Sequence, residues 1–514
     1  MQVNVLQYFE NGALRSCPEK AAILDGERSY TFVDVERKSK RGAAAILARF
    51  DVFNRPIAVY LPRSASVIFA DLAIVYSGNL YANLDVKAPA QRTRNILDHI
   101  EPVLILTTDA LAGQLAALGI PGERLLPVDD LFAGLELGYD SDALLRRLET
   151  VIDTDPLCII NTSGSTGTPK GVALSHRGTI DFMDWCFERL KLDGAERIGS
   201  LSPFFFDIYT LELIFCLAKG ATLVIIPDQM SVFPAKLMEF LTQHAVSFLF
   251  WVPSIMVNIS AQGLLDHFDL PALRTVFFAG EVFPMKHLNR WRRALPGATF
   301  VNLYGPIEIT VDCTYYVLDR DFTDDDVLPI GFPCRNTDVL ILNERDQFCQ
   351  TGETGELCVR GSSLALGYWN DPEKTAKAFC QNPLNRHYPE WIYRTGDLVY
   401  RNDRGEIMLV GRKDFQIKHM GYRIELPEIE HQVLRIPGIA NACVLYEQEN
   451  KEITLFYEAA APDLTPAVIR QELSKVFPKY MLPTAFHLMP SLPRNPNGKI
   501  DRNGLMEMRQ PQPA

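Results

Sequence analysis

Short runs in which almost every residue is apolar recur through residues 56–303. They are Pro56-Ile-Ala-Val-Tyr-Leu61, Val103-Leu-Ile-Leu106, Leu157-Cys-Ile-Ile160, Thr222-Leu-Val-Ile-Ile226, Phe248-Leu-Phe-Trp-Val252, Thr275-Val-Phe-Phe278 and Thr299-Phe-Val-Asn-Leu303. A strand with one wet face alternates apolar and polar residues; these runs do not, so both of their faces are to be buried. Helix-like segments lie among them. Residues after Thr31 place Phe32, Val35, Ala43, Ala44, Ile46 and Leu47 at roughly helical spacing, and Pro234 to His244 and Pro284 to Ala294 read similarly. Strands alternating with helices predict an α/β fold of mostly parallel sheets covered by helices.

The character changes at about residue 320. Charged and glycine-rich turns, such as Thr351-Gly-Glu-Thr-Gly355 and Asn402-Asp-Arg-Gly405, separate short alternating strands such as Glu356-Leu-Cys-Val-Arg360. This predicts a small antiparallel β unit on the first region. After Lys413 a small α+β segment follows, with helices at Leu426 to Leu434 and Pro466 to Phe477 and strands at Ala440 to Leu445 and Glu452 to Tyr457. The expected division is a large domain over 1–413 and a small one over 414–514. A chain of 514 residues exceeds what one core usually supports.

The most polar loop in the α/β region is Asn161-Thr-Ser-Gly-Ser-Thr-Gly-Thr-Pro-Lys-Gly171, directly after the Leu157–Ile160 run. Glycines let successive N–H groups converge on one point, which makes an anion-binding nest. Thr162, Ser163, Ser165 and Thr166 add hydroxyl donors around Gly164 and Gly167, and Lys170 adds a point charge. The bland alternative is a serine/glycine linker. The spacing is not that of a P-loop NTPase, because Gly171 stands where that motif needs Ser or Thr. It is a phosphate loop of another kind.

Charge and composition narrow the partners. The formal net charge of -12 argues against nucleic acid or an anionic membrane. The ten cysteines show no C-x-x-C pair and read as reduced core residues. The N-terminus has no basic n-region, no apolar run reaches the roughly 18 residues of a membrane span, and the best candidate, Phe248 to Ile259, is broken by Pro253. A cytoplasmic protein is expected.

Further clusters follow the loop in order: Phe206-Asp-Ile-Tyr209, Asn302-Leu-Tyr-Gly-Pro-Ile-Glu308, Tyr393-Arg-Thr-Gly-Asp397, Gly411-Arg-Lys-Asp-Phe-Gln-Ile-Lys418, Gly421-Tyr-Arg-Ile-Glu425 and Asn497-Gly-Lys-Ile-Asp501. Together they resemble the adenylate-forming enzymes: acyl-CoA synthetases, firefly luciferase and the adenylation domains of nonribosomal peptide synthetases. The resemblance covers essentially the whole chain, and the amino-acid branch fits best. It implies that MgATP activates a carboxylic acid to an acyl-adenylate with release of pyrophosphate, and that the acyl group then passes to a thiol. A carboxylate is a poor nucleophile facing a polyanion, so such a site must neutralise charge and align the groups.

By this resemblance the 162–170 loop holds the β- and γ-phosphates, Tyr304 stacks on adenine and Asn302 bonds its amino edge. Gly280, Glu281 and Gly305 join the nucleotide site. Asp397 accepts the ribose hydroxyls with help from Arg412, and Glu308 is a Mg²⁺ ligand. Lys499 is the catalytic lysine, set between the substrate carboxylate and the α-phosphate; the bland reading is a solvated surface charge. Asp414 matches the hinge of a mobile C-terminal domain, or is a plain turn aspartate. Gly421 lines the channel for a pantetheine arm.

Asp207 matches the residue that pairs with the α-ammonium of an amino acid; the alternative is a cap on a helix beginning near Thr210. The resemblance lines the side-chain pocket with Ile208, Leu211, Trp251, Phe277, Ala279, Leu303, Val311 and Asp312. Trp251, Phe277 and two leucines fill volume, which points to glycine, alanine, serine or proline. Two departures stand out: Ile307 replaces a usual threonine, for which nearby Thr310 or water would substitute, and Tyr209 replaces a usual serine. No carrier domain follows Lys499, so a free-standing enzyme loading a separate phosphopantetheine carrier protein is expected. The rival readings are an acyl- or aryl-CoA synthetase and an adenylate-binding protein without turnover.

Overall fold

The computed structural model describes residues 2–132, 139–164, 169–448, 450–459, 464–494 and 500–508. Two compact units emerge. The first comprises Met1–Val86, His99–Asn161 and Gly171–Lys413; the second comprises Lys87–Asp98, Thr162–Lys170 and Asp414–Ala514.

Among the described residues the first unit is built on three sheets. A nine-stranded sheet runs in the order Phe332–Pro333, Thr314–Val317, Thr299–Tyr304, Thr275–Phe278, Phe248–Trp251, Arg197–Ser200, Thr222–Ile225, Ala21–Asp25, Arg28–Thr31. Its central strands pair in parallel, as their unbroken apolar composition demands. A seven-stranded sheet follows the order Gly367–Tyr368, Lys170–Ser175, Pro156–Thr162, Leu80–Asn83, Pro56–Val59, Leu104–Thr107, Leu125–Pro127. The third is antiparallel. It joins Thr337–Leu342, Gly355–Gly361, Trp391–Arg401 and Phe379–Gln381, with Ile407–Arg412 beside Trp391–Arg401.

Local chemistry explains the helix starts. Thr31 caps the helix Phe32–Arg49 in a reciprocal capping box with Asp34. Ser175 caps His176–Arg189 by accepting from the Gly178 N–H, and Pro253 opens Pro253–Ala261 at a position where its missing N–H costs nothing.

In the second unit, the described residues after Asp414 form a hairpin, Gln416–His419 with Tyr422–Glu425. A three-stranded sheet follows, made of Ile439–Glu447, Glu452–Ala459 and Ala485–Leu488. Helices Leu426–Val433 and Pro466–Ser474 share a core with that sheet, including Ile429, Val444, Leu455 and Ile469.

Candidate active site

The strand Thr299–Tyr304 carries Asn302 and Tyr304 to its C-terminal end, where parallel α/β sheets present ligand-binding residues. The Tyr304 hydroxyl donates to Asp397 Oδ2, and Arg412 Nη1 donates to Asp397 Oδ1 at 2.7 Å. Asp397 and Arg412 face each other across adjacent antiparallel strands, so hairpin register sets that pair. A carboxylate has about four lone-pair positions. Tyr304 and Arg412 engage one on each oxygen, which leaves each oxygen able to accept one hydroxyl more. Asn302 Nδ2 donates to the Pro329 carbonyl at 2.8 Å. With its amide nitrogen so engaged, Asn302 presents an oxygen acceptor, the polarity an amino edge requires.

Glu308 is fully buried, and its Oε1 accepts from the Tyr368 hydroxyl at 2.8 Å. No group of three His, Cys, Asp or Glu side chains suited to a metal exists among the described residues. One carboxylate is nevertheless what Mg²⁺ commonly takes from a protein when phosphates and water complete its octahedron. The chain after Glu308 is strained: Thr310 and Val311 hold φ of +55° and +65°. Gly305 lies so close to this segment that a Cβ there would sit 2.5 Å from the Asp312 Cα. The Thr310 hydroxyl, expected to replace the missing threonine at 307, is buried against Gly178, where a Cβ would stand 2.7 Å from it. This hydroxyl has no hydrogen-bond partner among the described residues. Gly280 adopts φ +92°, and Glu281 Oε2 accepts from the Ser254 N–H at 2.9 Å.

Asp207 is the first residue of the helix Asp207–Lys219, whose cap position is Phe206 and makes no side-chain cap. The helix begins three residues before the expected start near Thr210, with Asp207 inside its first turn. A negative charge at this position is still favoured by the helix dipole. The Asp207 charge reaches Cys158 on the strand Pro156–Thr162. Burial pushes that thiol up to about 12, with Asp71 and Asp207 adding to the shift.

The expected pocket residues do not all converge. In the parallel pairing Phe250 lies opposite Phe277 and Trp251 opposite Phe278, and Phe277 lies opposite Val301. Alternation then puts Phe277, Ala279, Val301 and Leu303 on one face and Trp251 on the other. The packing agrees. Ile208, Leu211, Phe277, Ala279, Leu303 and Val311 share one core cluster, whereas Trp251 packs with Leu249, Met256 and Phe278 and donates its indole N–H to the Gly199 carbonyl at 3.0 Å. Trp251 is thus corrected from pocket wall to outer-face core. Asp312 is buried, and its charge helps raise the Cys186 and Cys334 thiols, so those two cysteines are among its surroundings.

In the second unit, Ser163 Oγ donates to the Arg423 carbonyl at 2.6 Å and Lys170 Nζ lies 3.3 Å from Glu425 Oε1. Gly164 is described; Ser165, Thr166 and Gly167 of the same loop lie outside the described residues, as does Lys499. The Asp414 carboxylate accepts from the Gln416 N–H at 3.2 Å, a turn-type contact. Met420 and Gly421 form the hairpin tip with φ of +53° and +81°. That turn favours glycine at the second position on conformational grounds alone.

Two buried residues of the first unit, Asp71 and Asn83, escaped the sequence reading, and Tyr209 was read there only as a replaced serine. Asn83 and Tyr209 both donate to the Asp71 carboxylate beside the Asp207 turn. The legible signal was a lone charged residue in the otherwise apolar segment Ala65–Tyr76.

Comparison with known proteins gives this geometry a family. The AMP-binding enzyme family matches residues 9–369, and the AMP-binding enzyme C-terminal domain matches residues 428–499. The chain is 30% identical to tyrocidine synthase 1 of Brevibacillus parabrevis over 98% of its own length, yet it spans less than half of that protein, 45%. It is 30% identical to an L-proline–[L-prolyl-carrier protein] ligase of Pseudomonas fluorescens, covering 96% of this chain and 97% of that one. In structure it resembles the Vibrio cholerae adenylation domain AlmE, crystallised with glycyl-adenosine-5'-phosphate, with a TM-score of 0.84, 23% identity and 99% and 98% of the two chains covered. The parallel sheets, the smaller C-terminal segment and the two matched stretches lead to one conclusion: this chain belongs to the AMP-binding enzyme family.

Proposed function

We propose that this enzyme activates a small neutral amino acid, of the glycine, alanine, serine or proline class, with MgATP. Aminoacyl-AMP and pyrophosphate form, and the aminoacyl group then passes to the phosphopantetheine thiol of a separate carrier protein. The observation that carries the reading is Asp207: a partly buried acidic side chain in the first turn of a helix, followed on that helix by the buried apolar Ile208 and Leu211. A carboxylate at this place would pair with the α-ammonium of an amino acid, an attraction that strengthens where water is partly excluded. The names of two similar proteins support the branch, one a prolyl-carrier protein ligase and one a domain holding a glycyl adenylate. With Trp251 on the far face, the preference for compact side chains rests on Phe277, Leu211 and Leu303.

The chain's own groups account for the chemistry by position and charge. Asp397, braced by Tyr304 and Arg412, holds the ribose; Asn302 orients adenine; Lys170, Ser163 and the rest of the loop take the β- and γ-phosphates. Glu308 would hold Mg²⁺, which supplies charge neutralisation on the triphosphate when bound. The substrate carboxylate is then aligned with the α-phosphorus, and Lys499 offsets the charge that accumulates between them. Asp414 is proposed as the hinge and Gly421 as a channel residue for the second half-reaction.

The test is ATP–pyrophosphate exchange over the amino acids, benzoate and a fatty acid. One or a few small amino acids should drive exchange, with strong loss in Lys499→Ala and Asp207→Ala. Exchange with benzoate or a fatty acid and with no amino acid would overturn the reading in favour of an acyl- or aryl-CoA synthetase.

A further inference from the structure

Helix Ala65–Tyr76 is apolar along nearly its whole length, yet it carries Asp71 at 0% exposure. Burial raises that carboxyl to about 7, against the effect of its hydrogen bonds from Asn83 and Tyr209. Tyr209 donates from its hydroxyl to Asp71 Oδ2 at 2.8 Å, and Asn83 Nδ2 donates to the same oxygen at 2.9 Å. Tyr209 is itself fully buried and Asn83 nearly so. Three polar side chains from two helices and a strand end therefore meet on one atom in the dry interior. Such a network is costly unless its geometry serves something, because an apolar trio would fill the volume without desolvation.

The network has one outlet to the backbone around it. Asn83 Nδ2 also donates to the Phe204 carbonyl at 3.1 Å. Phe204 lies in the turn between strand Arg197–Ser200 and helix Asp207–Lys219. Its ring stacks on Tyr209 with centroids 4.3 Å apart and planes at 26°. The Arg63 guanidinium covers that ring at 4.9 Å and is anchored to the Leu201 and Ile226 carbonyls. The turn is thus held by its carbonyl and by its ring, and three residues later it delivers Asp207. A tyrosine at 209 is what allows this: a serine there, as the family resemblance would have it, could neither reach Asp71 in this way nor stack on Phe204.

We propose that Asp71, Asn83 and Tyr209 form a positioning cluster that fixes the Phe204–Asp207 turn, and through it the carboxylate that receives the amino group of the substrate. The inference rests on the reading of Asp207 given under Proposed function. It assigns the cluster to amino-acid recognition and not to nucleotide binding, since its backbone contact is with the Asp207 turn and the nucleotide-type residues lie on other strands. Displacing a binding group by about 1 Å can cost on the order of a hundredfold in rate, so even a single lost anchor should be measurable.

The experiment is steady-state pyrophosphate exchange with the full chain and its variants Tyr209→Phe, Asp71→Leu and Asp71→Asn. Separate KM values are taken for ATP and for the best amino acid, and melting temperatures are measured alongside. Tyr209→Phe and Asp71→Leu should raise the amino-acid KM roughly tenfold or more and leave the ATP KM within about twofold. Asp71→Asn keeps an oxygen for both donors and should lie close to the unsubstituted enzyme. If Asp71→Leu does not fold, Tyr209→Phe, which removes one oxygen atom, decides the matter. Equal rises in both KM values that track the loss in melting temperature, or no change in any variant, would overturn the proposal. An unsubstituted enzyme that exchanges with no amino acid would instead sink the functional reading, and the role of the cluster with it.

Discussion

Replacing Asp397 by Asn tests the ribose assignment at the level of single lone pairs. Both carboxylate oxygens are already engaged, Oδ1 by Arg412 at 2.7 Å and Oδ2 by the Tyr304 hydroxyl. An asparagine must keep its one oxygen toward Arg412, because its NH₂ group would there meet another donor. The NH₂ group then faces Tyr304, and the second ribose hydroxyl loses a charged acceptor. A hydrogen bond to a charged group contributes about 1.5–3 kcal/mol, which is roughly a 10- to 100-fold rise in the ATP KM. The assay is exchange kinetics with ATP and 2′-deoxy-ATP on the unsubstituted enzyme and on Asp397→Asn. The unsubstituted enzyme should prefer ATP, the variant should lose much of that preference, and the amino-acid KM should stay nearly level. A variant that melts lower but keeps both the ATP KM and the preference against 2′-deoxy-ATP would show that Asp397 serves only to pair Arg412.

Three further outcomes follow from particular contacts. Glu308→Gln keeps an acceptor for Tyr368 but removes the charge, so the Mg²⁺ concentration for half-maximal exchange should rise about tenfold or more; an unchanged Mg²⁺ titration would remove Glu308 from the metal site. Trp251→Phe should leave the order of preferred amino acids unchanged and cost about 1 kcal/mol of stability through the lost bond to the Gly199 carbonyl, whereas Phe277→Ala should admit larger side chains; a substrate panel altered by Trp251→Phe alone would refute the face assignment. Burial holds Glu212 up at about 8, although Ser200 donates to it and Arg63 is near. Unfolded, it titrates near the usual glutamate value of about 4.3. The folded-state proton therefore adds stability that is full below the unfolded value and is lost as pH rises through about 8. Glu212→Gln should accordingly flatten the fall in melting temperature between pH 5 and 9, and an unchanged slope would show that Glu212 is not the group responsible.

The parallel sheets were legible because burial on both faces leaves an unbroken apolar run, and runs such as Phe248–Val252 carry no polar residue to dilute the signal. The same property hid the face of each side chain. In Phe248-Leu-Phe-Trp-Val252 every residue is apolar, so the phase of the pleat cannot be read, and only the pairing of Trp251 with Phe278 shows which way the indole points. The helix start at Thr31 was legible before a run of helically spaced apolar residues, whereas the cap at Ser175 shows only in the structure. The grouping of residues 87–98 and 162–170 with the C-terminal segment was not, since it arises from contacts between residues distant along the chain. Asp71 and Tyr209 stand 138 positions apart, and nothing along the chain announces their meeting beyond an aspartate where an apolar residue would serve.

The proposed reaction forms a bond between a carboxylate oxygen and the α-phosphorus of ATP. Its most direct measurement uses the preferred amino acid labelled with ¹⁸O in the carboxylate, with hydroxylamine as acceptor, and mass spectrometry of the nucleotide product. The expected products are AMP carrying one ¹⁸O atom from the amino acid, together with pyrophosphate. Unlabelled AMP, or ADP and phosphate as products, would contradict the proposed reaction.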